Sequence, residues 1–108
     1  MYGRMNKAIS IEKRVAGTSG RYVGRTDGVD GEAELNFIVR RPGLISADHT
    51  EAPASMRGTG AAMALVEHMI GDARASSFKI VPVCPCVLAQ YRKHPEWSNV
   101  ITNADSAL

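Results

Sequence analysis

Cys84 sits between two prolines, in Pro82-Val83-Cys84-Pro85, and that setting could make its thiol a nucleophile. Proline is favoured at the first position of a helix, so Pro85 in that position makes Cys84 the N-cap. A sulfur at the positive end of a helix dipole ionises more readily. The plainer alternative is a turn shaped by prolines around a small buried filler. His49 lies near the C-terminal end of an earlier strand. If the two strands are neighbours, His49 and Cys84 form a pair able to share a proton. Otherwise His49 is an inert, half-buried histidine. Tyr91, two turns into the helix after Cys84, is either a proton donor or a core aromatic with its hydroxyl at the surface. Cys86 falls inside the first turn with no comparable partner, so Cys84 is expected to be the more reactive thiol. A single residue between the cysteines suits neither a structural disulfide nor more than half a zinc site. No Ser/His/Asp arrangement and no glycosidase-like carboxylate pair stands out.

A second chemical signal is Arg57-Gly58-Thr59-Gly60-Ala61-Ala62. Two glycines let a ligand approach the backbone closely. A helical pattern begins at once, with Ala62, Leu65, Val66, Met69 and Ala73 on one face. The N–H groups and dipole of a helix start, with glycines before it, make an anion site. Arg57 adds a permanent cation. The dinucleotide fingerprint fails because Met63 stands at the third glycine position, and there is no Gly-Lys-Ser/Thr of a P-loop.

The elements that must hold these groups can be read in order. Residues 7–15 alternate loosely as a first strand, 16–20 form a loop, and 21–26 form a short strand. Asp27-Gly28 and Asp30-Gly31 bracket a tight turn. Residues 32–40 are the clearest strand, with Ala33, Leu35, Phe37 and Val39 on one face. Residues 44–51 form another, with Ile45, Ala47 and His49 on one face and Ser46, Asp48 and Thr50 on the other. A helix over 60–75, a buried strand over 79–83 and a helix over 85–94 follow. His94 closes that last helix, Pro95 stops it, and Trp97 anchors the tail. Strand, helix and strand form a right-handed crossover, so strands 44–51 and 79–83 should run parallel. The fold class is therefore α+β, a mixed α/β sheet. Glycine turn and cysteine both fall at the C-terminal ends of parallel strands, where open sheets bind ligands.

Composition bounds the rest. The chain of 108 residues suits one domain, and 44% hydrophobic with 22% charged residues is ordinary for a globular protein. The apolar run near residues 61–70 is broken by Glu67 and His68 and is too short to cross a bilayer. Residues 1–7 lack the apolar segment of a signal peptide, so a cytoplasmic protein is expected. Net charge is +2, but six cations precede Asp27 (Arg4, Lys7, Lys13, Arg14, Arg21 and Arg25) against Glu12 alone. A solvated strand surface is the plain reading of that segment. A phosphate-bearing ligand or RNA is the sharper one, and no aromatic interleaving supports RNA.

Four segments taken together resemble a known family: His49-Thr50-Glu51-Ala52-Pro53, Arg57-Gly58-Thr59-Gly60-Ala61-Ala62, Lys79-Ile80-Val81-Pro82-Val83-Cys84 and Tyr91-Arg92-Lys93-His94-Pro95-Glu96-Trp97. Their order and spacing resemble the minimal, single-domain GNAT-like N-acetyltransferases (the GNAT domain-containing protein 1 type) over roughly residues 21–101. The resemblance implies a GNAT-like acyl-CoA N-acyltransferase fold, a central mixed sheet with two main helices and a splayed parallel strand pair. It implies acetyl-CoA as cosubstrate, an amine acceptor and no metal. It implies that Arg57, Gly58, Thr59, Gly60, Ala61 and Ala62 bind the pyrophosphate, that Cys84 or His49 handles the acceptor proton or Cys84 itself carries the acetyl group, and that Tyr91 protonates the departing thiolate. Cys86 stands where an aromatic is usual, Met56 where leucine is common, and Trp97 where tyrosine is. On this reading residues 1–20 are an N-terminal strand and loop, 21–101 the domain and 102–108 a flexible tail. The expected state is a monomer or weak homodimer, without membrane or nucleic-acid partners. The rival function is an acyl-CoA-binding or sensing module without turnover.

Overall fold

The computed structural model describes residues 9–102. Five strands form one sheet in sequence order: β1 (Ile9–Ala16), β2 (Ser19–Thr26), β3 (Ala33–Arg41), β4 (Leu44–Glu51) and β5 (Lys79–Pro82). The first four are antiparallel neighbours, and β5 joins β4 in parallel. Helix α1 (Ala61–Ser76) crosses between β4 and β5, and α2 (Pro85–Lys93) follows β5. The mixed α+β sheet with two main helices and the parallel crossover are as the sequence predicts. The strand expected from residue 7 begins outside the described residues, as does the tail beyond Thr102.

Local chemistry sets the turns. The loop expected over 16–20 is a two-residue hairpin at Gly17-Thr18, with Gly17 at φ +65°, so β2 starts two residues early. The pair of Asp-Gly dipeptides spans a longer connection between Thr26 and Ala33, in which the Val29 N–H reaches the Thr26 carbonyl at 3.1 Å. Gly20 has no Cβ, and that leaves room for the Phe37 ring, which otherwise stands 2.3 Å from where a Cβ would lie.

The core lies between one face of the sheet and α1. Tyr22, Leu35, Phe37, Ile45 and Ala47 meet Leu65, Val66, Met69 and Ala73. Ala61, not Ala62, completes the buried helical stripe, and Ala62 is half-buried. Trp97 is buried in the core and stacks on His94 at 4.4 Å between ring centroids, and His94 caps α2. The C-terminal segment returns to the sheet through the Ile80–Ile101 bridge.

Among the described residues, the cations of the first quarter are paired with acids, on their own strand or across the sheet. Arg14 pairs with Glu12, Arg21 with Glu34, and Arg25 with Glu32. On the core face Lys13 and the Tyr22 hydroxyl both bond Asp72 Oδ2 on α1, at 2.7 and 2.6 Å. Burial opposes ionisation of Asp72, but the hydrogen bonds from Lys13 and Tyr22 outweigh it and hold its carboxyl below the usual range. Burial, and then the bond to Asp72, raise the Tyr22 phenol. The lowered Asp72 value contributes stability that is present above the unfolded carboxylate range and lost as pH falls through the folded value. The raised Tyr22 value contributes stability present below the unfolded phenol range and lost as pH rises. Tyr22→Phe is expected to lower unfolding free energy by about 1–2 kcal/mol at neutral pH and to weaken both dependences. Urea unfolding across pH checks this, and unchanged stability would refute the network.

Candidate active site

Strands β4 and β5 stay paired only from Leu44–Lys79 to Ala47–Pro82. One more bond, from the Cys84 N–H to the Ala47 carbonyl at 2.8 Å, closes the shared stretch. Beyond it β5 ends, while β4 runs on to Glu51 paired with β3 alone. Among the described residues, the outer backbone edge of Asp48–Glu51 therefore has no strand partner. The two parallel strands part there, and the turn leading to α1 leaves from the same end.

The β3–β4 register contains a bulge at this point. Phe37 faces Ala47, but Asn36 faces His49, which leaves Asp48 as an extra residue. An extra residue reverses which side chains face which way. Thr50 consequently joins Leu35 on the core face, and His49 joins Asn36 on the opposite one. The sequence alternation had put His49 with Ile45 and Ala47. The expected Cys84–His49 pair is not formed: His49 is exposed, with Nε2 3.9 Å from Glu51 Oε1. The partner of Cys84 is Thr50, whose Oγ1 lies 3.4 Å from Sγ, and either atom can donate.

Cys84 is the N-cap of α2 with Pro85 at the first helical position, as its sequence setting predicts. Its sulfur bonds no helix N–H, and the residue is only 3% exposed. Cys86 is half-buried and packs at the core margin. Burial and the neighbouring Cys84 push the Cys86 thiol up, against a downward pull from the Thr50 hydroxyl. The order of thiol reactivity expected from sequence thus meets a barrier of access at Cys84. Tyr91 is half-buried on α2 against the core. It lies seven residues after Cys84 and so on nearly the same side of the helix.

The glycine turn is built as a rigid loop. Met56 is 1% exposed and anchors the 3-10 turn Ala54–Met56. The Thr59 N–H and hydroxyl both donate to the Met56 carbonyl, at 3.2 and 2.5 Å, and the same hydroxyl accepts the Ala61 N–H at 3.2 Å. Gly58 and Gly60 are left-handed, at φ +80° and +78°. Gly60 is the N-cap of α1, and its carbonyl receives the first helical bond from the Ala64 N–H at 2.9 Å. Helix geometry leaves the N–H groups of Gly60, Ala62 and Met63 without intrahelical acceptors. No acidic side chain stands in the first turn, and Arg57 is exposed beside it. Of the six residues expected to bind pyrophosphate, Thr59 and Ala61 spend these groups on the loop itself. Met63, which in the sequence only breaks the dinucleotide fingerprint, offers an N–H in exchange.

A sheet whose parallel strands part beside a glycine-capped helix start defines a class, the acyl-CoA N-acyltransferase fold. Residues 21–100 match the family model described as GCN5-related N-acetyl-transferase, and the chain belongs to that family. A search of curated proteins finds none that matches. The matched region begins within β2, so β1 is a strand of this sheet that precedes it.

Proposed function

We propose that the protein transfers an acetyl group from acetyl-CoA to an amine. The observation that carries this reading is the unpaired Asp48–Glu51 edge, opening beside the Gly60-capped end of α1. The pyrophosphate lies against the N–H groups of Gly58, Gly60, Ala62 and Met63, with Arg57 as counter-cation. The pantetheine arm enters between β4 and β5 and uses the free β4 edge as a strand would. A β4 backbone N–H there polarises the thioester carbonyl.

The neutral amine nitrogen attacks the carbonyl carbon, and the C–S bond breaks. Tyr91 gives its proton to the departing thiolate and is reprotonated from solvent. One of the two amine protons leaves to solvent as the amide forms, and the other stays on nitrogen. Burial of Cys84 and its contact with Thr50 favour direct transfer over an acetyl-cysteine route, because an amine held beside a fixed thioester gains most of its rate from proximity. His49, on the opposite face, has no part in this scheme.

Mass spectrometry of an amine panel incubated with protein and acetyl-CoA tests the reading. Acetylated amine with stoichiometric CoA supports it. Tight CoA binding with no product points to the acyl-CoA-binding module instead, and absence of CoA binding removes both.

A further inference from the structure

Strand β1 precedes the segment that matches the family and forms one edge of the sheet. The opposite edge is covered. The Ile80 N–H donates to the Val100 carbonyl at 2.7 Å, and the Thr102 N–H donates to the Ile80 carbonyl at 2.9 Å. Along β1 the sheet stops with no such cover among the described residues. The β1–β2 hairpin decides which backbone groups face outward. Its two-residue turn closes on Ala16 and Ser19, a pair that exchanges bonds. By alternation Ser10, Glu12 and Arg14 also turn their N–H and carbonyl groups towards β2. Those of Ile9, Ile11, Lys13 and Val15 turn away from the sheet. An open row of this kind is a template for another strand.

Side chains sort by the same parity. Ile11, Lys13 and Val15 pair with Gly24, Tyr22 and Gly20. Tyr22 is in the core, and a Cβ on Gly24 or Gly20 would meet Leu65 or Phe37, so this is the α1 side. Ser10, Glu12 and Arg14 lie on the other side. Val15 is 57% exposed, a large apolar side chain left open at the edge. A charge on the core side of an edge strand ordinarily deters pairing. Here Asp72 Oδ2 lies 2.7 Å from Lys13 Nζ and balances that charge.

The strand is complementary to itself in one register. A second β1, laid antiparallel about a two-fold axis, sets side chains of the same face opposite each other. Centred on Glu12, the pair brings two glutamates together. Centred on Arg14, it brings two arginines together. Centred on Lys13, it sets Glu12 of each copy against Arg14 of the other, and Ile11 of each against Val15 of the other. The outward N–H and carbonyl groups of Ile11, Lys13 and Val15 then meet their counterparts. The two Lys13 side chains share the central rung, each drawn back towards its own Asp72.

We propose that β1 is an interface with a second copy of this chain, paired antiparallel about Lys13 so that two sheets become one. The edge used lies across the sheet from the parting of β4 and β5, so neither site is covered. The proposal does not depend on the acyl-transfer reading. One strand per chain is a small interface, and a Kd on the order of 10–100 µM is expected.

Sedimentation equilibrium at low ionic strength reads the association. The wild type is expected to form dimers and nothing larger, because pairing consumes the edge. Glu12→Arg and Arg14→Glu each set like charges across the axis, and each should weaken dimerisation by about tenfold or more. Mixed in equal amounts, the two variants set unlike charges across it and should regain the wild-type affinity. Amide hydrogen exchange of the wild type needs no variant and decides the matter if either folds poorly. Exchange at Ile11, Lys13 and Val15 should slow as protein concentration rises, while that at Glu12 and Arg14, already bonded to β2, should not change. A chain that stays monomeric at millimolar concentration overturns the proposal. So does a dimer indifferent to both variants, one that mixing fails to restore, or protection that appears away from β1.

Discussion

Gly60→Asp is expected to lower CoA affinity by about 10²-fold or more, while Gly60→Asn lowers it only severalfold. Gly60 is at φ +78°, a conformation glycine adopts freely and asparagine and aspartate tolerate at modest cost. A Cβ added there meets nothing within 4 Å, so neither side chain clashes with the protein. The two variants share size and backbone strain and differ in one negative charge. About 6 Å from a phosphate, that charge costs roughly 2–3 kcal/mol per phosphate charge at an effective dielectric of about 20. It also sits at the helix end whose free N–H groups must face the anion. Calorimetry of CoA binding to the three proteins reads the difference. Equal affinities for the asparagine and aspartate forms would remove pyrophosphate from this turn.

The second large effect is expected at Tyr91. Tyr91→Phe should reduce kcat by about 10²-fold and leave the KM for acetyl-CoA nearly unchanged, because general acids of this kind typically contribute that much. The ring stays against the core, so the fold should tolerate the change. Tyr91, Val87 and the N-cap Cys84 share one side of α2, and Val87 is fully buried. The phenol is thereby held on the side of α2 that faces the core and the end of β4. A thermal melt beside steady-state kinetics separates chemistry from packing. Lost turnover with an unmoved melt supports the proton donor. Unchanged turnover leaves Tyr91 as a core residue.

Much of this architecture is legible in the sequence because each element carries its own local signal. The alternation of Ala33, Leu35 and Phe37 gives β3, and helical spacing from Leu65 to Ala73 gives α1. Pro85 fixes both the start of α2 and the N-cap position of Cys84. The family pattern, spread over four segments, points to the same fold that the sheet adopts. The site is less legible, for one physical reason. Ile45, Ala47 and His49 alternate without a flaw, so nothing in the residue types marks Asp48 as surplus. A bulge depends on the partner strand as well as its own, and single-strand patterns do not record it. Thr50 carries no sequence signal for that reason, and alternation alone puts His49 on the wrong face. The basic first quarter was ambiguous for a similar reason: two acids that answer it, Glu32 and Glu34, lie beyond Asp27 in sequence but next to it across the sheet.

The bulge gives β4 two phases, and this makes the length of the strand as consequential as its composition. Ser46 and Ala47 follow one parity, His49 and Thr50 the other. Taking out Asp48 would remove the surplus and leave both faces as they are, with His49 opposite Asn36 and Thr50 opposite Leu35, beside the thiol. The faces exchange only if Asp48 stays and takes an ordinary place in the alternation, as the residue types alone suggest. His49 would then turn to the face of Cys84, and Thr50 away from it. In this sheet the group beside the thiol is set by the surplus residue that β4 absorbs against β3.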